Sequence, residues 1–185
     1  MNIDTSLIFQ AIKHYEEYGY NMVTVPMLVD EEASRLTKPK GCKDLYHKDK
    51  VYVASAEQSF IQLYNEGELM TGKYMALTPC YRDEPELDDT HFNIFLKLEL
   101  IKVYREGYKP GASVVLDDAY DFFKPLAKYN TKLVSFGNNN HDIEINGLEV
   151  GSYGYRQFSD GTWYVYGTGI AEPRLSYALG KSNDE

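Results

Sequence analysis

The sequence predicts an α+β domain, an antiparallel β-sheet flanked by helices, and three observations carry that expectation. Strand-like runs follow one another with helices set beside them, whereas a parallel α/β fold would alternate the two regularly. The run from Phe92 to Tyr104 has a period of two, with Ile94, Leu96, Leu98 and Leu100 on one face and Phe95, Lys97 and Glu99 on the other. A polar turn from Asp83 to Thr90 joins it to a second strand-like run, Tyr74 to Arg82, which is the pattern of a hairpin.

The remaining elements follow in chain order. Leu7, Ile8, Ala11, Ile12 and Tyr15 recur at helical spacing behind Asp4, Thr5 and Ser6, all competent N-caps, and Gly19 ends the pattern. Asn21 to Val25 is a short β-rich run closed by Pro26, which cannot donate to a sheet ladder. Residues 30–50 are charged, contain Pro39-Lys40-Gly41, and read mostly as loop; Ala56 to Leu69 reads as a helix. Residues 113–127 form another, with Val114, Val115, Ala119, Phe122, Phe123 and Leu126 on its apolar side. Leu133 to Phe136, Asp142 to Ser152 and Trp163 to Tyr166 read as strands between Gly and Asn turns such as Gly137-Asn138-Asn139-Asn140. Beyond Gly167-Thr168-Gly169, Pro173 suits the first turn of a helix running from Arg174 to Leu179, followed by a polar tail over 180–185.

A chain of 185 residues suits one domain. With 43% apolar and 25% charged residues it has a globular balance that excludes disorder, and tyrosine is heavily used, with 17 copies. No apolar run approaches the length of a membrane span, and the N-terminus lacks a secretory pattern, so a cytoplasmic protein without a membrane partner is expected. Cys42 and Cys80 lack ligand spacing and read as free thiols. The net charge of −9 makes the chain a poor stand-alone RNA binder, because that affinity rests on Lys and Arg neutralising phosphates.

The hairpin offers chemistry. Arg82 and Glu84 leave one strand together, while Phe95 and Glu99 share a face of the other. A guanidinium is a fork for phosphate oxygens, a carboxylate accepts from an exocyclic amine, and a ring stacks on a base, so the set describes a nucleotide site. Each residue also has a plainer reading, Phe95 as packing and Arg82 with Glu84 as a surface pair worth little. Gly167-x-Gly169 lacks the third glycine and the βαβ setting of a dinucleotide fingerprint. His141-Asp142-x-Glu144 carries metal donors but reads as a solvated strand end. Cys80 finds no partner cysteine for zinc near Gly169, and Lys97 pairs with Glu84 or Glu99.

Ala76-Leu77-Thr78-Pro79-Cys80-Tyr81-Arg82-Asp83-Glu84 resembles the second signature motif of the class II aminoacyl-tRNA synthetases, and Phe95-Leu96-Lys97-Leu98-Glu99-Leu100 resembles its returning strand. The likeness is strongest to the seryl type, within the Gly/His/Pro/Ser/Thr subgroup. Gly19-Tyr20 through Val25-Pro26-Met27-Leu28 is similar to the first motif, Ser55-Ala56-Glu57 to the Thr-x-Glu element, and Glu149-Val150-Gly151-Ser152 to the Glu-x-x-Ser segment. Gly167-Thr168-Gly169-Ile170-Ala171-Glu172-Pro173-Arg174 resembles the third motif. Each is weak alone; in this order, over nearly the whole chain, they are specific.

The resemblance implies a class II synthetase catalytic-domain fold and an amino-acid-activating ligase using ATP and Mg2+. Arg82 and Arg174 would be catalytic, Arg82 on the α-phosphate and Arg174 on the adenine face and γ-phosphate. Glu84 would take the adenine amino group, Phe95 would stack on the base, His91 would stand near the γ-phosphate where relatives often have arginine, and Glu149 and Ser152 would hold magnesium and phosphate. Ser55, Glu57 and Glu99 would line an anionic amino-acid pocket. The first motif implies a homodimer. Residues 1–185 are expected to be a single catalytic domain without an appended tRNA-binding arm or anticodon domain. The loop Pro85-Glu86-Leu87-Asp88-Asp89-Thr90-His91 is shorter and more acidic than the arginine-bearing loop of seryl enzymes. The acceptor therefore stays open between a tRNA acceptor end and a carrier protein or other non-tRNA group. A non-catalytic paralogue that binds nucleotide or amino acid is the alternative.

Overall fold

A computed structural model of the chain describes residues 3–38, 41, 43–88, 90–111, 113–136 and 139–181. The expected turn at Gly137-Asn138, the loop at Pro39-Lys40, the thiol of Cys42, the loop carboxylate Asp89 and the tail 182–185 lie outside the described residues.

Helix α1 (Thr5–Glu17) starts where the Asp4 carboxylate accepts from the N–H groups of Ser6 and Leu7, and stops before Gly19, whose φ of +81° suits glycine alone. Its buried stripe, Ile8, Ala11 and Tyr15, is the predicted one. Strand β1 is only Asn21–Met22; β2 (Leu28–Val29), α2 (Glu31–Arg35), β3 (Tyr46–His47) and β4 (Lys50–Tyr52) follow. The described part of residues 30–50 is mostly loop, as expected, interrupted by the one-turn helix α2, by β3 and by the first residue of β4; β2, β4 and β3 form a small sheet in the order β2-β4-β3. Elements of two to five residues leave no periodicity to read. Helix α3 (Ala56–Asn65) ends four residues earlier than expected, before Gly67 at φ +76°.

The hairpin forms as predicted, β5 (Gly72–Tyr81) against β6 (Ile94–Val103), with Ala76 opposite Glu99 and Cys80 opposite Phe95. Helix α4 (Ser113–Leu126) precedes β7 (Thr131–Phe136), β8 (Asn140–Ile145), β9 (Leu148–Gln157) and β10 (Trp163–Glu172), and α5 (Arg174–Gly180) closes the described chain. The single strand expected over Asp142 to Ser152 is two, β8 and β9, turned at Asn146-Gly147 with φ of +52° and +74°. Gly167-Thr168-Gly169 belongs to β10 and does not lead into the helix.

The main sheet runs β1-β5-β6-β10-β9-β8-β7, antiparallel except for β1 on β5. Two cores hold it. On one face α1, α4 and α5 bury Tyr15, Phe123, Leu98, Leu100, Ile143 and Leu175; on the other α3 covers Ala76, Ile101 and Val103 with Phe60 and Ile61. Each large apolar side chain buried this way stabilises the fold by roughly 1.5–3 kcal/mol. Because α3 covers one end of the second face only, the face bearing Phe95, Lys97 and Ser152 stays open. No helix among the described residues is long and apolar enough to cross a membrane.

Candidate active site

The mouth of the hairpin fixes the first two functional side chains. The Arg82 N–H donates to the Asn93 carbonyl at 2.9 Å and the Glu84 N–H to Asn93 Oδ1 at 3.2 Å, so both residues are tied to the returning strand. The Arg82 guanidinium lies 4.9 Å from the Phe95 ring centroid and 3.7 Å from the Glu84 carboxylate. Opposite, Arg174 at the start of α5 stands 3.6 Å from Glu149, and its Nε and Nη2 donate to the Thr90 carbonyl at 3.2 and 2.6 Å. Between them lies an open cleft lined by Arg82, Glu84, Phe95, Glu149, Ser152 and Arg174, with Lys97 and Thr168.

A bulge shapes the inner wall. Thr168 pairs with Glu99 and Ile170 with Leu98, leaving Gly169 as the extra residue. Thr168 and Ala171 therefore both line the cleft while Ile170 enters the core. A Cβ on Gly169 would lie 3.0 Å from the Tyr15 ring and 3.1 Å from Leu98, and the Tyr15 hydroxyl donates to its carbonyl at 2.9 Å.

His91 is not brought to the cleft; its Nδ1 sits 2.9 Å from Asp88 Oδ2, in a turn where Asp88 also accepts from Thr90 and from the His91 N–H. Ser55, Glu57 and Glu99 lie behind the cleft wall. Glu99 is 1% exposed, accepts from the Ser55 hydroxyl, and takes the Lys97 ammonium at 2.8 Å, so of the two expected partners of Lys97 it is Glu99 that pairs. Ser55 also caps α3 by accepting from the Glu57 N–H at 3.3 Å.

Glu57 does not offer a free anionic wall. Its carboxylate accepts two bonds from Arg156 Nη1, at 2.5 and 2.7 Å, and one from the Tyr164 hydroxyl at 3.0 Å. Burial raises its pKa, and the Arg156 charge pulls it back down. The Arg156 guanidinium also stacks 4.2 Å from the Tyr166 ring. Sequence reasoning passed over Arg156 and Tyr166. Stepping by two along β9 from Ser152 through Gly154 reaches Arg156, and that alternation was the available signal.

Asp142, one of the metal donors weighed in His141-Asp142-x-Glu144, has a different setting from the one expected. Read as part of a solvated strand end, it is buried, pairs across the ladder with Ser152, and has an Oδ1 with no hydrogen-bond partner. Burial, then the nearby Glu149 charge, pushes its pKa up to about 6, against a hydrogen bond from Ser152. A partnerless buried carboxylate oxygen beside a second carboxylate suits a hard divalent cation, so the residues present fit magnesium. Among the described residues no group of three or more His, Cys, Asp or Glu is placed to hold a metal, and an ion here would need phosphate oxygens to complete its shell. Cys80 lies under Lys97, Glu99 and Arg82, and burial pushes its thiol up to about 11.

No protein-family profile matches the chain. The serine–tRNA ligase of Thermotoga neapolitana is 38% identical over 86 residues, covering 41% of this chain and 20% of that protein. The serine–tRNA ligase of Thiobacillus denitrificans is 28% identical over 163 residues, 74% of this chain and 38% of that protein. The chain therefore spans well under half the length of these curated relatives. Among solved structures, PylSc of Desulfitobacterium hafniense, a pyrrolysyl tRNA synthetase, superposes with a TM-score of 0.71 at 18% identity, covering 93% of this chain and 65% of that one. A crystal structure of pyrrolysyl-tRNA synthetase from the same organism gives 0.69 at 17% identity, over 95% and 67%.

Proposed function

We propose that this chain, which has the fold of a class II aminoacyl-tRNA synthetase catalytic core, activates an amino acid with ATP to form an aminoacyl-adenylate. The observation that supports this reading most is the convergence on one open cleft of Arg82 and Glu84 from the exit of β5, Phe95 from β6, Glu149 and Ser152 from β9, and Arg174 from α5. A structural scaffold has no physical need for two half-buried guanidiniums facing one another across a cavity.

In this reading a carboxylate oxygen of the amino acid attacks the α-phosphorus in line, the new C(O)O–P bond forms, and pyrophosphate leaves with the electron pair of the broken P–O bond. No protein nucleophile takes part. Arg82 neutralises charge on the α-phosphate, Arg174 holds the β- and γ-phosphates, Glu84 accepts from the adenine amino group and Phe95 supports the base. For the phosphates to enter, they take the place of the Thr90 carbonyl on Arg174, a carbonyl that offers only a partial charge. Glu149 and Ser152, with Asp142 behind them, would hold magnesium, which supplies charge neutralisation of the triphosphate. The activated acyl group passes to a tRNA acceptor end or to a carrier protein, and the protein works in the cytoplasm as a homodimer.

Pyrophosphate exchange into ATP, measured with each common amino acid in turn, tests the reading. Exchange with one amino acid, reduced about 10²–10³-fold in Arg82→Ala, is expected. Near-normal exchange by Arg82→Ala would sink it, as would ATP binding without exchange for any amino acid.

A further inference from the structure

We infer that Tyr15, Tyr153 and Thr168 are positioning residues for the activation step, fastening the junction where β9 and β10 part so that the groups on the two arms keep their separation across the cleft. This assignment rests on the activation reading above. The ladder between the two strands ends at the pair Gly167–Tyr153. Beyond it β9 continues on β8 and β10 on β6, and both arms line the cleft, Glu149 and Ser152 on one, Thr168 and Ala171 on the other, with Arg174 just past its end. Parting strands lose ladder partners, and side chains supply hydrogen bonds here instead. The Tyr153 hydroxyl donates to the Thr168 carbonyl at 2.7 Å and the Tyr15 hydroxyl to the Gly169 carbonyl at 2.9 Å, while the Thr168 hydroxyl accepts from the Ser152 N–H at 3.3 Å.

Glycines clear the way for these contacts. A Cβ on Gly151 or on Gly167 would collide with the Tyr153 side chain, and one on Gly169 would press on the Tyr15 ring. Both rings are fully buried, and burial pushes both phenols well above their ordinary pKa, so each stays a donor. Phenylalanine would fill the same space; the hydroxyls add a donor for each of two successive carbonyls. Tyr15 comes from α1 and Tyr153 from β9, so the bulge of β10 is held from two elements. Neither tyrosine lines the cleft, and both act through Thr168, Ser152 and the arm that leads to Arg174. In-line attack needs the α-phosphorus and the leaving pyrophosphate held in register, with phosphate contacts divided between the arms, and a misplacement of about 1 Å can cost on the order of a hundredfold in rate. Binding of ATP in the ground state draws also on Arg82, Glu84 and Phe95 of the hairpin, which the junction does not carry.

The test uses pyrophosphate exchange with the amino acid that drives it, comparing the unmodified protein with Tyr15→Phe, Tyr153→Phe and Thr168→Val, each of which keeps the shape of the side chain and removes its hydroxyl. Tyr20→Phe is the control, because Tyr20 is another buried tyrosine whose hydroxyl donates to Asp118 at 2.9 Å, and neither residue lines the cleft. The three variants should lose kcat by about tenfold to a hundredfold while KM for ATP changes less than about threefold, and Thr168→Ser should recover most of the loss. Tyr20→Phe should lower the urea midpoint as much as Tyr15→Phe does, yet keep kcat within about twofold of the unmodified protein. If a tyrosine variant does not fold, Thr168→Val against Thr168→Ser decides the matter. Variants that lose stability but keep kcat overturn the assignment, since the hydroxyls then serve the fold alone. A KM for ATP that rises as far as kcat falls overturns it, and so does an equal loss of kcat in Tyr20→Phe, because any loosening of the core would then have the same effect. Should no amino acid drive exchange in the unmodified protein, the activation reading falls and this assignment with it.

Discussion

Glu57 is held inside the protein by Arg156, which reaches it from a strand 99 residues away with two hydrogen bonds, and Tyr164 adds a third. Removing the guanidinium leaves a carboxylate that is 5% exposed with only a phenol for company. Arg156→Ala should therefore lower stability by about 3 kcal/mol in urea denaturation, the range for breaking a buried pair from one side. A loss below about 1 kcal/mol would mean that water reaches Glu57. Cys80 gives a second check at this scale. Burial raises its thiol to about 11, and the neighbouring Glu99 charge adds to the rise against Lys97 and Arg82, so at pH 8 the nucleophilic thiolate is scarce as well as hidden. Iodoacetamide should leave Cys80 unmodified in the native protein at pH 8 and label it fully in urea, read by peptide mass mapping. Fast native labelling would show that the floor of the cleft opens. The contrast with Arg82, Glu84 and Phe95 is instructive: strand alternation and a resemblance over a few residues announce those three. The Glu57–Arg156 pair is a long-range contact with no local pattern, and Asp142 looks like any polar strand end until a second strand covers it.

The long elements were legible for similar reasons. α1, α4 and the β5–β6 hairpin each repeat an apolar period over enough residues to be read, and each lies close to its expected bounds. The small sheet, α2 and the two-residue β1 are too short for that, and depend on the larger sheet to hold them. The β8–β9 turn is a different case, because Asn146-Gly147 is a strong hairpin signal submerged in one apparent strand. Two glycines in these strands separate two kinds of cost. Gly147 has a φ of +74° and nothing within 4 Å of the place a methyl would take, so Gly147→Ala should cost only the strain of a left-handed backbone, about 1 kcal/mol. Gly167 is where the buried Tyr153 ring crosses β10. A Cβ there would fall 2.3 Å from Tyr153 Cδ1 and 2.9 Å from Val115, in a core that cannot yield, so Gly167→Ala should cost about 3 kcal/mol or more. Urea midpoints of the two variants should fall in that order; the reverse order would mean that Tyr153 has room to move aside.

At the scale of the whole molecule, the charge and the sheet edge set how the chain meets other molecules. A net charge of −9 disfavours binding nucleic acid through the backbone, so a tRNA acceptor end would have to be gripped locally at the cleft, where Arg82, Lys97 and Arg174 collect. The β1 edge has a different character. β1 stops at Met22, and beyond it Leu77 on β5 is 37% exposed; Met22, Met27 and, on α1, Phe9 are exposed as well. These apolar side chains belong to the segment that resembles the first synthetase motif and to the elements beside it, and a two-fold contact there would bury them against their own copies. Light scattering on the purified chain at micromolar concentration should give twice the chain mass. The double variant Phe9→Asp, Met22→Lys should give the single chain mass with an unchanged circular dichroism spectrum, since both side chains point away from the core. A monomeric unmodified chain would remove the dimer from the proposal while leaving the cleft chemistry to stand or fall on its own test, because every residue assigned to the cleft comes from one copy of the chain.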